Sequence, residues 1–297
     1  MSRPDWIAAD WGTSHLRVWA MQGGTVLDKA QSDAGMAKLD AAQFEGALLD
    51  LIGPWLGDST LTVVACGMVG ARQGWVEAPY GAIPTTPVAD GLVQAPTNDP
   101  RLNVWVIPGL KQTAPADVMR GEETQIAGFL ALNDGWDGVI CLPGTHTKWA
   151  HVSAGEVVSF QTFMTGEQFA LLTENSVLKH SIGTGWDDTA FKDALNDTMS
   201  RPERLAAYLF NLRARDLLEG FDADSARARL SGLLLGAELS AARPFWLGQN
   251  VAIIGDDTLA RAYAMALDAQ GVPALVADAA RMTLAGLQAA YRTTKDS

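Results

Sequence analysis

Between Asp5 and Ser32 an apolar run that ends at a glycine, DWIAADWG, is followed by two runs in which apolar and polar residues alternate, HLRVWAM and TVLDKAQS, the two separated by Gly23-Gly24. Period-two alternation bounded by glycine turns predicts three consecutive strands joined as hairpins. The period then changes. From Asp40, a residue suited to capping a helix start, AAQFEGALLDLIGPWL carries apolar side chains at helical spacing, and LTVVACG after it reads as a buried strand.

The pattern restarts near Met119. RGEETQIAGFLALN predicts a helix with two glutamates in its first turn, where the helix dipole favours them. DGVICLPG, TKWAHVS and EVVSFQT then repeat the three-strand pattern. Residues 165–243 are largely helical by periodicity. VAIIGDDTLARAYAMALDAQG reads as a strand, a turn at Gly255 and a helix closed by Gly271. Gly12-Thr13 and Gly144-Thr145 stand 132 positions apart in matching surroundings, so the chain reads as one unit built twice. The expected fold is α/β, with mixed sheets in two lobes, residues 1–115 and 116–297, divided at the loop PGLKQTAPAD. A ligand is expected in the cleft between them.

Composition narrows the function. The chain has 297 residues, 48% of them hydrophobic, enough for two cores. No apolar run approaches the roughly 20 residues that cross a bilayer, and MSRPDW lacks the pattern of a leader, so a cytoplasmic protein is expected. Cys66 and Cys141 sit in apolar runs without a C-x-x-C spacing and read as small core residues. A net charge of −12 with no cluster of Lys and Arg argues against nucleic acid or a membrane as partner. An anionic ligand would have to be attracted locally against that field. A homo-oligomer is compatible with the sequence.

The two turns suggest what the ligand is. Gly12, Thr13 and Ser14 in one, and Gly144, Thr145, His146 and Thr147 in the other, offer backbone N–H groups and hydroxyls at hairpin tips, the groups a phosphate needs. The hydroxyls could equally satisfy their own hairpins. The acid heading the first turn, Asp10, becomes Leu142 in the second. Mg²⁺ needs oxygen ligands, often through water, whereas a second acid would repel phosphates; Asp10 is therefore the expected metal partner. Arg17 alternates with apolar neighbours and could reach Asp10 or a phosphate, or be the polar face of a strand. The loop CGMVGARQGWVEAPY reads as ligand-lining, with Gly67, Met68, Trp75 and Tyr80 as candidates. No H-E-x-x-H, P-loop, dinucleotide fingerprint or nucleophile elbow is present.

IAADWGTSHLRVWAM and PGTHTKWAHV resemble the first and second phosphate motifs of the superfamily containing actin, the heat-shock chaperones, hexokinases and glycerol kinase. VAIIGDDTLARAYAMAL is similar to its adenosine motif. The resemblance implies a two-lobed actin-like ATPase fold, a duplicated ribonuclease H-like unit, that binds ATP and Mg²⁺, with Gly255 and Asp256 beside the nucleotide. RGEETQIAGFLAL resembles the segment carrying the catalytic acid in glycerol-kinase-like enzymes. Carried over, it puts the base at Glu122, a Glu where an Asp is usual, with Glu123 as its rival.

Seven segments in order, DWGTSHLRVW, AGMAKL, GMVGARQGWVEAPY, VMRGEETQ, LPGTHTKW, FMTGE and SGLLLGAE, resemble the 2-dehydro-3-deoxygalactonokinase family over nearly the full length. That implies Mg-ATP-dependent phosphorylation of the C6 hydroxyl of a sugar acid in galactonate breakdown. The substrate's carboxylate would need a donor, for which Arg120, Lys148 and Arg72 are candidates, Arg120 adjoining the expected base.

Overall fold

The computed structural model describes residues 3–88 and 91–295. β1 (Trp6–Trp11), β2 (Leu16–Gln22) and β3 (Thr25–Ser32) form the expected antiparallel hairpins, with Asp10 opposite Arg17 in the ladder. Glycine breaks the runs where the strands end. The predicted helix from Asp40 is shorter than its periodicity: a 3-10 turn covers 41–43, α1 is Phe44–Ile52, and Pro54 falls in a closing 3-10 turn. The Gln43 side chain accepts from the Asp40 N–H at 2.7 Å, so the cap acts on the 3-10 turn.

β4 (Leu61–Gly67) pairs parallel with β1, and its residues Val63, Val64, Ala65 and Cys66 are buried on both faces, which is why LTVVACG lacks alternation. The two-residue β5 (Gly81–Ala82) and β6 (Val93–Gln94), with β7 (Leu102–Val106), β8 (Leu110–Thr113) and β9 (Ala116–Met119), have no counterpart in the sequence expectations. The first sheet runs β3-β2-β1-β4-β7-β6, with β7 parallel to β4, and β5-β8-β9 form a small separate sheet. α2 (Glu122–Leu132) follows β9 directly.

β10 (Gly138–Leu142), β11 (Thr147–Ser153) and β12 (Glu156–Phe163) match the second three-strand pattern within a residue or two. α3 (Thr165–Asn175), α4 (Asp188–Ser200), α5 (Leu205–Glu219), α6 (Ala223–Ala241) and the short α7 (Arg243–Trp246) fill the helical region. β13 (Val251–Gly255), α8 (Asp257–Asp268), β14 (Ala274–Asp278) and α9 (Ala279–Thr293) complete the chain. The second sheet runs β12-β11-β10-β13-β14, with β10, β13 and β14 parallel. Its order is that of β3-β2-β1-β4-β7, so the duplication seen in the turns extends through five strands.

The chain divides into two compact units: 1–137 with 152–159 and 279–297, and 138–151 with 160–278. These bounds differ from the expected lobes of 1–115 and 116–297, because α2 and α9 group with the first unit. Two glycines bring those helices together. A Cβ on Gly128 would lie 1.8 Å from the Met282 oxygen, and one on Gly286 would lie 1.9 Å from the Thr124 oxygen. α9 in turn packs on the first sheet through Leu287, Ala290 and Tyr291, whose ring stacks on Trp6 at 4.3 Å. No helix among the described residues is long and apolar enough to cross a membrane.

Candidate active site

In the first unit, Asp10 lies at the carboxyl end of β1, its side chain 17% exposed, with Oδ2 ion-paired to Arg17 Nη2. The Cys66 thiol of β4 is 3.9 Å from Oδ1. Gly67 ends β4 at φ +90°, and a Cβ there would sit 2.7 Å from the Trp11 oxygen and 3.7 Å from Asp10 Oδ1. Gly121, at φ +108°, would put its Cβ 3.6 Å from the Gly67 Cα. Asp10, Gly67 and Gly121 therefore lie side by side, and α2 begins at that point with Glu122. Glycine is favoured in both places because φ is positive, and at Gly67 also because the Trp11 carbonyl leaves no room for a Cβ.

The two glutamates of α2 occupy different environments. Glu123 is fully buried: its Oε2 accepts from the Gly121 N–H at 2.6 Å and its Oε1 from the Thr124 hydroxyl at 2.9 Å. Burial, followed by the neighbouring Glu122 charge, pushes its carboxyl up to about 8, so it is protonated at neutral pH. Glu122 is half-buried and accepts from the Arg120 N–H at 3.1 Å. Only one of the pair is accessible.

Arg120 stacks its guanidinium on Tyr80, 4.3 Å from the ring centre, and its Nη2 donates to the Ala78 oxygen at 2.8 Å. Its Nε and Nη1 are buried and have no hydrogen-bond partner among the described residues. Two orphaned donors on a permanent cation are an uncommon expense inside a protein, and an anion would relieve it. Met68 is half-buried. Trp75 departs from its expected role as a lining residue: it is a core residue packed with Trp11 and Phe44, and its N–H donates to the Pro96 oxygen. Arg72 is 83% exposed beside Glu77.

Each Gly-Thr turn is clamped by a glycine further on. In the first, the Gly12 N–H donates to the His15 oxygen, the Thr13 oxygen accepts from the Ala37 N–H, and a Cβ on Gly35 would lie 2.2 Å from the Ser14 carbonyl carbon. In the second, the Thr145 oxygen accepts from the Glu167 N–H at 2.9 Å, and a Cβ on Gly166 would lie 2.2 Å from the Gly144 oxygen. The segments AGMAKL and FMTGE thus have one job, each following the third strand of its copy. Thr13 and Ser14 are exposed at the first tip, as are Thr145 and His146 at the second. His146 Nε2 meets Glu167 Oε2 at 2.5 Å.

A cavity of about 640 Å³ lies wholly within the second unit, lined at one end by Gly144 and Thr145. Thr258, Leu259, Arg261 and Ala262 of α8, Ser231 and Leu234 of α6, Phe169 of α3 and the Trp186 indole form much of the rest. A largely apolar slot of that volume bordered by the Gly144-Thr145 turn has the size and lining for a nucleoside.

A model of the 2-keto-3-deoxy-galactonokinase family matches residues 10–290. The chain belongs to that family. A protein of Rhizobium meliloti strain 1021 named as a probable 2-dehydro-3-deoxygalactonokinase is 36% identical over 297 residues, spanning 96% of each chain. The 2-dehydro-3-deoxygalactonokinase of Escherichia coli K12 is 34% identical over 281 residues, 93% of this chain and 94% of its own. A crystal structure from Sinorhizobium meliloti, described as a 2-dehydro-3-deoxygalactonokinase protein, superposes with a TM-score of 0.90 at 35% identity, covering 97% of this chain and 99% of that one. The activator of 2-hydroxyisocaproyl-CoA dehydratase from Clostridium difficile superposes at 0.53 and 10% identity, covering 98% and 96%, a likeness of fold alone.

As a member of this kinase family the chain is a phosphotransferase of the actin-like α/β fold, and the expected residues fall into two groups. Asp10, Arg17, Gly67 and Glu122 gather in the first unit, around Gly121, which was not among the expected residues. Gly144 and Thr145 line the cavity of the second. Others are buried or engaged elsewhere. The Thr147 hydroxyl meets the Tyr263 hydroxyl at 2.7 Å, and Lys148 of β11 is buried, so neither is exposed at the turn as Thr145 and His146 are. Asp256 caps α8 by accepting from the Thr258 and Leu259 N–H groups, while Gly255 is buried; Asp257 and Thr258 line the cavity in their place. Tyr263, Glu238, Trp186, Gly35 and Gly166 went unnoticed as site residues. Only the two clamping glycines carried a signal, by recurring at matched places in the two copies.

Proposed function

We propose that the chain transfers the γ-phosphoryl group of ATP to the C6 hydroxyl of 2-dehydro-3-deoxy-D-galactonate, giving the 6-phosphate and ADP in galactonate catabolism. The observation that carries this reading is the meeting of Asp10, Gly67 and Gly121 at the start of α2. It sets an accessible acid, Glu122, beside a second acid suited to a metal. Glu122 accepts the hydroxyl proton as the new O–P bond forms and the bond to the ADP oxygen breaks. Glu123 is unsuited to that role, since both of its oxygens accept hydrogen bonds and it already holds a proton at neutral pH.

Asp10 suits Mg²⁺ carried by phosphates. It is a single carboxylate with one oxygen held by Arg17 and the other 3.9 Å from the weak donor Cys66, and Mg²⁺ commonly uses one or two carboxylates together with substrate phosphates. Asp10 would hold Mg²⁺ there, and the ion would supply neutralisation of charge on the transferring group. Gly144 and Thr145 hold phosphate through backbone N–H groups, and the adjoining cavity takes the adenosine. Arg120, stacked on Tyr80, supplies unpaired donors for the sugar acid's carboxylate.

The test is Mg-ATP-dependent ADP release with 2-keto-3-deoxygalactonate, 2-keto-3-deoxygluconate, galactonate, glycerol and glucose supplied separately. A strong preference for the first is expected. Preference for another sugar would leave the phosphoryl transfer standing and overturn the substrate, and turnover indifferent to every acceptor would overturn the kinase reading.

A further inference from the structure

The second unit contains a buried carboxylate that the proposed chemistry leaves without a role. Glu238 of α6 is 3% exposed. Its Oε1 accepts from the Trp149 indole of β11 at 2.8 Å, and its Oε2 from the Tyr263 hydroxyl of α8 at 2.9 Å. The Thr165 hydroxyl at the start of α3 is a third donor. Tyr263 and Thr165 line the cavity, so one carboxylate draws three of its surrounding elements together.

The direction of these bonds matters. Because the Tyr263 hydrogen goes to Glu238, the 2.7 Å contact between Tyr263 and Thr147 requires Thr147 to donate. The chain therefore runs from Thr147 to Tyr263 to Glu238, starting in the residue that closes the second Gly-Thr turn. It holds this direction only while Glu238 is a carboxylate. A protonated Glu238 would set its own hydrogen among donors, and the Trp149 N–H cannot turn round. The hydroxyls can, and Tyr263 would then donate to Thr147 and release the Thr147 hydrogen from the wall.

Burial raises the Glu238 carboxyl to about 6, against the pull of its three donors. The other titratable groups facing it are Tyr263 on α8 and Cys141 on β10, both raised by burial and by its charge, so neither changes state in that range. α4 presents apolar Phe191, Leu195 and Met199 to the same core.

We propose that Glu238 is a positioning residue for the nucleotide: as a carboxylate it fixes a buried hydrogen-bond chain that holds the second Gly-Thr turn to the cavity wall, and protonation loosens that turn and weakens nucleotide binding. The inference rests on reading the cavity as the nucleotide site and leaves the first unit's residues unaffected.

The test is calorimetric titration of ADP into the full chain, without sugar acid, from pH 5.2 to 8, for the wild type, Glu238→Gln and Tyr263→Phe. Wild-type Kd is expected to rise at least fivefold more than that of Glu238→Gln between pH 7.5 and 5.2. The variant is expected to be about tenfold weaker at pH 7.5 and to respond only through ADP's own titration. Tyr263→Phe cuts the chain while leaving Glu238 two donors, and its Kd is expected to be weakened and equally flat; it decides the matter if Glu238→Gln does not fold. A folded variant that keeps both the wild-type Kd and its pH response overturns the inference. Wild type that binds ADP but phosphorylates no sugar acid overturns the proposed function alone, and wild type that binds no ADP overturns the cavity reading and this inference with it.

Discussion

At the scale of single residues, adjacent glutamates on one helix turn are separated by environment. Glu122→Gln keeps the shape of the side chain and removes its ability to take a proton, so kcat is expected to fall by about 10² or more with nucleotide Kd nearly unchanged, read by steady-state kinetics and ADP titration. Glu123→Gln should retain most activity, because the carboxyl it replaces is already neutral. The same substitution carries a stability signature. Glu123 has a folded value near 8 against an ordinary 4.5, so between those limits the unfolded chain gives up a proton the folded chain keeps. Stability from this group is therefore full below pH 4.5, drains as pH rises to about 8 and levels off above it. Denaturant midpoints of Glu123→Gln should lack that share of the decline. If the two proteins lose stability in parallel across the window, Glu123 ionises normally and its exclusion as the base fails.

At the scale of elements, the turns show how much the sequence could tell. The hairpins were legible because alternation, glycine breaks and strand length agree locally, and β3 and β11 begin and end where TVLDKAQS and TKWAHVS do. The clamps were not. Gly35 and Gly166 act on Ser14 and on Gly144 across 21 and 22 positions, and nothing in the local composition marks a glycine as an approach point for a distant backbone. Trp75 was misplaced for a related reason: an aromatic in a glycine-rich loop looks available until the fold buries it against Trp11 and Phe44. α9 has a clear apolar stripe, yet its grouping with the first unit depends on partners more than 100 positions earlier. A Cβ placed at Gly166 must move the second turn, because the neighbour it meets is backbone. Gly166→Ala is expected to raise ADP Kd by about tenfold while leaving the melting temperature of the first unit in place, and Gly46→Ala, which meets open space on α1, serves as the control. Equal ADP affinity for wild type and Gly166→Ala would remove the clamp from the account.

At the scale of the whole molecule, a net charge of −12 confronts ligands that are themselves anionic on the reading above. Long-range and contact electrostatics then oppose one another. At low ionic strength, with a screening length of about 30 Å at 0.01 M, an approaching nucleotide senses the whole chain and is repelled; at 0.15 M the length is about 8 Å and only groups near the site act. Contacts such as the Arg17 side chain and the N–H groups of the turns work within that shorter distance and lose less to salt. The association rate of ADP is therefore expected to rise by about twofold between 0.01 and 0.15 M salt at fixed free Mg²⁺, with the dissociation rate changing less. Stopped-flow mixing with a fluorescent nucleotide reads both. The rise follows from the sign of the summed charge alone, so replacing exposed acids outside the turns and the cavity lining, such as Asp197 of α4 and Glu219 of α5, by Asn and Gln should blunt it without altering kcat. A rate that falls with salt would mean that a local positive field dominates even at long range, and the basic groups responsible would have to lie among those facing the cavity, Arg227 and Arg261 first.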